Sequence, residues 1–358
     1  MKTLFDNTKI VGMDLKNRLF RSATYDGQAD KQGHLTPELL QTYEKLAQGG
    51  VGTIITGMVC VTELDQPVPR PMALYSDIFI DEYKRMTEAV HRYGANIVAQ
   101  LSCGGAQTNF VVEGKVVWGP SAIEDMGYKT TPKEMSKDEI AIVQKSFADA
   151  AFRAKKAGFD GVQIHAAHGY LLSKFLTPYY NRRSDEYGGS TANRARMIFE
   201  TYQSIRDKVG PDYPVLIKIN SDDCFDQGLV FDECKYICKQ LEQMGIDAIE
   251  ISGGTVSSRP NEGPSRKIST EQESYYKTYA AEIAAEVAIP VILVGGNRDF
   301  ESLTEILNQT KISYFAFSRP LIREYDLVNR WQNGDTSRAT CISCRKCFGA
   351  NGICVFNK

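Results

Sequence analysis

Several short apolar runs of the sequence end in, or contain, residues that could do chemistry. One run ends in His165-Ala-Ala-His168, two residues before Tyr170, and Lys218 stands inside another, Val-Leu-Ile-Lys-Ile-Asn. The histidines are either satisfied polar residues or two metal ligands, and a catalytic zinc would need a further ligand that the sequence does not reveal. A buried lysine is costly unless an anion or a strong acceptor meets it, and a desolvated lysine is also what Schiff-base chemistry needs.

Two later runs are followed by residues that suit a phosphate. Gly-Gly-Asn follows one run at residues 295–297, and Ser318-Arg319 follows the next. Glycines and a cation after the last two strands match the usual phosphate site of (β/α)8 barrels. A tight turn and a surface ion pair would explain the same residues without a ligand. Together with Lys218, they predict a phosphorylated, anion-bearing ligand.

A repeating strand–helix unit positions these residues. Eight short apolar runs recur, and near-continuous runs of Val and Ile are typical of parallel strands buried on both faces. The predicted strands are residues 19–23, 53–59, 96–101, 161–165, 215–220, 248–252, 291–294 and 314–318. Helical spacing is clear at 79–93 and 140–154. Ser136 with Glu139, and Thr270 with Glu273, have the spacing of capping boxes, and the second box predicts a helix over residues 275–287.

Eight such units without a change of composition predict an α/β fold, a closed (β/α)8 TIM barrel. A doubly wound sheet is the structural alternative, but the G-x-G-x-x-G and P-loop motifs that it usually carries are missing from the sequence. Long loops follow the third and fourth strands, at residues 102–135 and 166–189, on the face where barrel enzymes hold their active sites. We expect one barrel over residues 1–335 and a short Cys-rich C-terminal tail over residues 336–358.

Charge and hydropathy exclude some classes of partner. The 358 residues carry a net charge of −2, and so weak a field argues against a nucleic acid or an anionic membrane as the main partner. No apolar stretch approaches the roughly 18 residues of a membrane span, and the first residues are too polar for a signal peptide. The expected location is therefore cytoplasmic. A homo-oligomer is compatible with the sequence, which does not determine the oligomeric state.

Nine cysteines, an odd count without a secretion signal, speak against a disulfide framework. Cys234 and Cys238 lie on one face of a predicted helix and are expected to pack in the core. The first three spacings of the cysteines in the tail resemble bacterial iron–sulfur ligation, and four clustered thiols also suit zinc. Free thiols on a terminal arm are the alternative. These four residues are Cys341, Cys344, Cys347 and Cys354.

Longer motifs carry a more specific signal. Residues 165–200 read HAAHGYLLSKFLTPYYNRRSDEYGGSTANRARMIFE, and this stretch resembles the signature of the old yellow enzyme family of flavin-dependent ene-reductases. The motifs NRLFRSATYDG, AQLSCGGAQ, LVGGNRDF and FSRPLIREYDLV also match in order, so the resemblance covers nearly the whole chain up to about residue 335. It implies an FMN-bearing barrel that takes hydride from NAD(P)H and delivers it to an activated alkene.

The resemblance also implies a role for each matching residue. His165 and His168 would hold the carbonyl or nitro oxygen of the substrate, and Tyr170 would donate the proton. Gln100 would bond the flavin pyrimidine, and Lys218 would sit near N1 and O2, where its charge favours reduced flavin. The remaining residues would line the flavin ring or take its phosphate: Ser22, Ala23, Thr24 and Gly57 for the ring, and Gly295, Gly296, Asn297, Ser318 and Arg319 for the phosphate.

Two departures from the family pattern stand out. Lys218 replaces a frequent arginine, which keeps the charge but loses the bidentate fork. Tyr25 occupies the first-strand position where relatives have a flavin-tuning cysteine or threonine.

The resulting hypothesis is an FMN-dependent, NAD(P)H-consuming ene-reductase with ping-pong kinetics. A Schiff-base lyase that uses Lys218 is the alternative, and a non-catalytic protein organised by a metal-bound tail is a third class. The sequence does not identify the natural alkene or distinguish NADH from NADPH.

Overall fold

A closed barrel of eight parallel strands forms the centre of the protein. The computed structural model describes residues 1–110, 112–349 and 352–357. The barrel order is β3, β4, β6, β9, β10, β11, β12 and β13, and the pairing of β13 with β3 closes the ring. Its strands are β3 (Leu19–Arg21), β4 (Thr53–Cys60), β6 (Asn96–Ser102), β9 (Gly161–Ala166), β10 (Val215–Asn220), β11 (Ala248–Ser252), β12 (Val291–Leu293) and β13 (Tyr314–Phe317). All eight predicted strands and the predicted (β/α)8 fold are confirmed.

The barrel strands are buried almost throughout, which explains their uninterrupted apolar sequences. Every residue of β4, β9, β10, β11, β12 and β13 is buried. Their outer side chains pack against the helices, and their inner side chains fill the barrel. The shorter strands lie outside the ring: β1 (Thr8–Ile10) pairs antiparallel with β2 (Met13–Leu15), β5 (Met72–Ala73) pairs parallel with the end of β4, and β7 (Trp118–Gly119) pairs parallel with β8 (Lys133–Glu134).

Helices surround the barrel and connect its strands. They are α1 (Pro37–Gln48), α2 (Ile80–His91), α3 (Lys137–Lys156), α4 (Leu171–Leu176), α5 (Thr191–Val209), α6 (Phe231–Met244), α7 (Lys277–Glu286), α8 (Phe300–Gln309), α9 (Arg319–Arg323) and α10 (Leu327–Gln332). The capping box predicted before α3 is present in full, with Ser136 and Glu139 bonded to each other's backbone amides. Cys234 and Cys238 are buried on α6, as predicted.

The second predicted capping box is wrong. Helix α7 begins at Lys277, after the N-cap residue Tyr276, whose side chain makes no capping hydrogen bond. Glu273 instead contacts the guanidinium groups of Arg298 and Arg338. A carboxylate with two arginine partners gains more from those ion pairs than from one exposed backbone amide, so the tertiary contacts override the local signal.

The C-terminal residues described by the structure return over the barrel. A short 3-10 helix at Lys346–Gly349 is their one named element. The guanidinium of Arg298 donates to the carbonyl of Cys341, and that of Arg319 donates to the carbonyl of Ser343. The backbone of Gly352 lies against the backbone of residues 25 and 26. These contacts place the tail beside the open end of the barrel.

Candidate active site

A deep cavity opens at the carboxyl ends of the barrel strands. Most of the residues predicted from the sequence line it: Ala23, Thr24, Gln100, His165, His168, Tyr170, Lys218, Gly295, Gly296, Asn297, Ser318 and Arg319. They come from six of the eight strands or from the loops that follow them. Because parallel strands of a barrel end on one face, residues distant in sequence meet there. The roles of these residues remain predictions.

Ser22 and Gly57 lie behind this lining. The hydroxyl of Ser22 donates to Glu250 Oε1 at 2.6 Å. A Cβ at Gly57 would meet the carbonyl oxygen of Thr24 at 2.8 Å, so a side chain there would push the 22–24 segment out of place. Both residues therefore support the wall of the cavity from outside it.

One wall of the cavity carries an amide and a cation that belong to a buried polar network. Lys218 Nζ donates to Ser22 Oγ at 2.8 Å and pairs with Glu250 Oε1 at 3.0 Å. Gln163 Nε2 donates to Glu250 Oε2 at 2.8 Å, and Gln100 Nε2 donates to Gln163 Oε1 at 2.8 Å. All five side chains are at least 96% buried. The cation is thus compensated, as a buried charge must be.

Sequence reasoning missed Glu250 and Gln163. Each is a polar residue inside an otherwise apolar strand, in Ala-Ile-Glu-Ile-Ser and Gly-Val-Gln-Ile-His. This is the same signal that identified Lys218, so the sequence contained the information. What it could not supply was the register: Lys218 lies directly opposite Glu250 on β10 and β11.

His165, His168 and Tyr170 form an aromatic group at another side of the cavity. The ring centroids of His165 and Tyr170 are 4.4 Å apart, and those of His165 and His168 are 5.4 Å apart. His168 has a left-handed backbone (φ 62°), held by a hydrogen bond from its amide to Asn220 Oδ1. Its Nε2 bonds to Ser252 Oγ at 2.7 Å. Tyr170 is the N-cap residue of α4 without a side-chain capping bond, and its hydroxyl contacts the sulfur of Met58 at 3.6 Å.

Burial controls the protonation of this group. It lowers the pKa of His165 to about 3, with the charge of Lys218 adding to the effect, and it lowers the pKa of His168 well below the usual value. Burial raises the pKa of Tyr170. The imidazoles are therefore neutral and the phenol protonated at physiological pH. His165 Nδ1 is buried and has no hydrogen-bond partner within the described part of the chain.

The other end of the cavity is built from glycines and arginine. Gly295 and Gly296 both have positive φ, 108° and 80°, which favours glycine over residues with a Cβ. Arg319 Nη1 donates to the carbonyls of Arg266 and Ser343. The guanidinium of Arg266, which sequence reasoning missed, stacks over the Tyr275 ring at 4.5 Å. This end presents glycine backbone and the cationic side chains of Arg298 and Arg319 together, as an anion site requires.

Asn297 lines the same end, but its side-chain amide is used internally. It donates to the carbonyls of Leu293 and Ala316, and its oxygen accepts from Ser274. Thr24 donates to Ser318 Oγ at 2.9 Å across the first and last barrel strands. These contacts hold the walls of the cavity in place. Because the side chain of Asn297 is fully used, only its backbone could contact an anion.

Tyr25 faces the cavity from the segment after β3. Its side chain is 40% exposed, and its hydroxyl donates to the carbonyl of Pro69. Ser343, Cys347 and Gly352 of the tail complete the lining near it. The tail therefore contributes a wall of the cavity, which the sequence did not predict.

The four tail cysteines line a small second pocket beside Arg319 and Arg323. Within residues 1–110, 112–349 and 352–357, however, no group of three or more Cys, His, Asp or Glu side chains has the arrangement needed to hold a metal ion. The structure therefore does not support the predicted iron–sulfur or zinc site.

Among residues 1–110, 112–349 and 352–357, no helix is long and apolar enough to cross a membrane.

The chemistry of the cavity fits an FMN. The glycine- and arginine-lined end suits its phosphate, while the amide of Gln100 and the ammonium of Lys218 suit the polar edge of its ring. The unpartnered nitrogen of His165 leaves a donor or acceptor for a further ligand. Fold and cavity together define the chain as a (β/α)8 barrel of the flavin-binding class.

Comparison with known proteins agrees with this class. The profile of the NADH:flavin oxidoreductase / NADH oxidase family matches residues 3–337, and the chain belongs to that family. It is 34% identical to an NADH oxidase of Thermoanaerobacter brockii over 98% of this chain and 53% of the relative. It is 32% identical to an NADPH dehydrogenase of Bacillus subtilis over 90% of this chain and 92% of the relative.

A solved structure shows the same fold. The old yellow enzyme homologue from Zymomonas mobilis superposes with a TM-score of 0.80 at 24% identity, over 96% of both chains. The family profile and the NADPH dehydrogenase relative, together with this shared fold, confirm the resemblance to the old yellow enzyme family. The chain spans about half the length of several curated relatives, including the NADH oxidase.

Proposed function

We propose that this protein is an FMN-dependent oxidoreductase that takes hydride from NAD(P)H and reduces activated C=C bonds by a ping-pong mechanism. One observation carries the proposal: His165, His168 and Tyr170 face the same cavity as Gln100 and Lys218. FMN, when bound, supplies the chemistry of accepting a hydride from one substrate and passing it to the next. The dehydrogenase names of the relatives support the NAD(P)H part of the proposal.

His165 is the residue best placed to bind a substrate oxygen. Its Nδ1 is buried and unpartnered within the described residues, whereas Nε2 of His168 is already bonded to Ser252. Both imidazoles are neutral because burial lowers their pKa values. A neutral donor in a dry site stabilises an oxygen on which negative charge develops. His168 would join with its other nitrogen, or by releasing Ser252.

Tyr170 is suited to deliver a proton. Burial raises the pKa of its phenol, so the proton is present at physiological pH. The hydroxyl contacts only a weak acceptor, Met58 Sδ, among the described residues, so the proton is available to a substrate carbon. We assign Tyr170 the role of general acid to the α-carbon of the alkene.

The lyase alternative is disfavoured by the surroundings of Lys218. A Schiff base requires a neutral, free amine, but Nζ of Lys218 is held by Glu250 at 3.0 Å and by Ser22 at 2.8 Å. Lys218 is therefore a structural and electrostatic cation in this proposal.

We further propose that residues 1–335 form the FMN-binding barrel and residues 336–358 the Cys-rich tail, which covers one wall of the cavity through Ser343 and Cys347. An activated alkene and NAD(P)H are the proposed small-molecule partners, and each would use the same cavity in turn.

Anaerobic stopped-flow spectroscopy tests the function. The protein reconstituted with FMN should show flavin absorbance, lose it on mixing with NADH or NADPH, and regain it with an enone. Initial rates should give parallel double-reciprocal plots, as expected for a ping-pong mechanism. A protein that binds no FMN after reconstitution would overturn the proposal. Trapping of a carbonyl substrate on Lys218 by borohydride would favour the lyase.

A further inference from the structure

Glu250 is a buried carboxylate that the proposed chemistry does not use. It is 0% exposed on β11 and faces Lys218 in the register of β10 and β11. Its Oε1 receives hydrogen bonds from Lys218 and Ser22, and its Oε2 receives one from Gln163. Burying a carboxylate is costly, and this one has a donor on each oxygen. The site is therefore built to keep a negative charge at this position.

Only one member of the ion pair reaches the cavity. Lys218 is among the residues that line it, whereas Glu250 is absent from the described lining. The ammonium is thus the charged group of the pair that a ligand of the cavity can contact. In a poorly hydrated interior, charges separated by a few ångströms influence each other strongly. The charge that a ligand experiences from this wall is that of Lys218 reduced by Glu250.

We propose that Glu250 is a positioning residue that lowers the reduction potential of the flavin by holding Lys218 and offsetting its charge. The inference rests on the proposed function, because it requires FMN to bind with its polar edge toward Lys218. Reduction places negative charge on that edge, which a full cation would stabilise most. Glu250 offsets the charge of Lys218, so it makes reduced FMN less stable relative to oxidised FMN. Hydride donation from reduced FMN to the alkene is then more favourable.

Replacing the carboxylate by an amide tests the inference. Glu250→Gln keeps the size of the side chain and an acceptor for Gln163, but removes the negative charge. We expect the ratio of FMN affinities, reduced over oxidised, to rise about tenfold. For a two-electron couple that change corresponds to a potential about 30 mV more positive. The measurement is equilibrium dye titration of the flavin-loaded protein, together with FMN binding in both redox states.

A second variant, Glu250→Asp, tests the inference if Glu250→Gln does not fold. Glu250→Asp keeps the charge but withdraws it from Lys218 by one methylene, so we expect a smaller shift in the same direction. Glu233→Gln is the matched control, because Glu233 pairs with Arg194 between two outer helices, and its loss should leave the potential unchanged. A potential that is unchanged or lower in Glu250→Gln, or in Glu250→Asp if the first cannot be purified, overturns the inference.

A double variant tests whether the effect passes through Lys218. In a Lys218→Met background, Glu250→Gln should shift the potential by less than a third of its effect in the native background. An undiminished shift would show that Glu250 acts by another route and would overturn the inference. A protein that binds no FMN at all overturns the proposed function instead, so the two failures are distinguishable.

Discussion

His165 and His91 illustrate how opposite environments shift the same side chain in opposite directions. His165 is enclosed at the cavity and its pKa falls to about 3, whereas a hydrogen bond donated by the ring to the Asp160 carboxylate raises the pKa of the half-exposed His91. A group that stays neutral in the fold but binds a proton when unfolded makes stability fall on acidification. A group with a raised pKa stabilises the fold below its unfolded pKa and loses that contribution as pH rises.

These shifts predict the pH dependence of stability. Between the usual histidine pKa of about 6.5 and pH 5, His165 should reduce the free energy of unfolding by about 2 kcal/mol. His165→Asn should therefore flatten the acid limb of stability, measured by urea denaturation at pH 5 and pH 7.5. His91→Asn, the matched control, should steepen it. Equal pH dependence in the native protein and in His165→Asn would contradict a neutral buried imidazole.

Tyr170 allows the two half-reactions to be separated. Tyr170→Phe removes the proposed proton donor but keeps the ring that lies 4.4 Å from His165. Flavin reduction by NAD(P)H should stay within about twofold, while alkene reduction should slow by about 10²-fold or more, the range of general acid catalysis. Stopped-flow traces of each half-reaction check this. Equal losses in both would assign Tyr170 to binding rather than to proton transfer.

At the scale of elements, a buried ion pair connects the long loop after β6 to helix α4. Lys174 on α4 pairs with Asp125 of the loop, both side chains are at most 2% exposed, and the ammonium lies 3.8 Å from the ring centroid of Tyr180. Asp125 Oδ1 also accepts from the amides of Gly127 and Tyr128. Since α4 begins directly after Tyr170, this pair helps to position the segment that carries the proposed proton donor.

Breaking this pair should therefore be costly. Lys174→Met leaves the Asp125 carboxylate buried and uncompensated, and we expect the free energy of unfolding to fall by about 3–5 kcal/mol. Adding Asp125→Asn removes the unpaired charge and should recover part of the loss. Lys239→Met, which breaks a half-exposed pair with Glu286, should cost less than about 1 kcal/mol. Urea denaturation of the native protein, the two single lysine variants and the double variant measures these changes. A similar loss of unfolding free energy in both lysine variants would contradict the argument.

The secondary-structure elements also show which features local sequence patterns can predict. The strand of Lys218 and the capping box of α3 follow from spacing alone, because strand periodicity and N-capping depend on near neighbours. The start of α7 does not, because Glu273 is drawn to Arg298 and Arg338. Those arginines are close only in the folded chain, so spacing could not have revealed them.

At the scale of the whole molecule, the C-terminal tail contacts the barrel and forms part of the wall of its cavity. Arg319 donates to the carbonyl of Ser343, and Ser343 and Cys347 line the cavity with the barrel residues. The proposed boundary at residues 335 and 336 thus separates two parts that share one site. We expect the barrel to fold without the tail but to need the tail for its full affinity for FMN.

Truncation after Asp335 tests this division. The shortened chain should keep the circular dichroism of an α/β barrel but bind FMN about tenfold more weakly, because one wall and one anchor of Arg319 are lost. Asn357→Ala removes tail hydrogen bonds to the backbone carbonyls of Ile322 and Arg323. It is the control and should leave the affinity unchanged, because Asn357 is not among the described residues that line the cavity. Isothermal titration with FMN measures the effect, and unaltered binding in the truncated protein would contradict it.

The sequence by itself determined the barrel and most of the residues at its open end. Both depend on local information, namely apolar runs of strand length and polar residues placed where those runs end. The tertiary structure alone decided that Glu250 compensates Lys218, that Asn297 turns its amide toward β12 and β13, and that the tail covers the cavity. These contacts join residues far apart in the chain, and their geometry depends on strand register and packing, which no local pattern specifies.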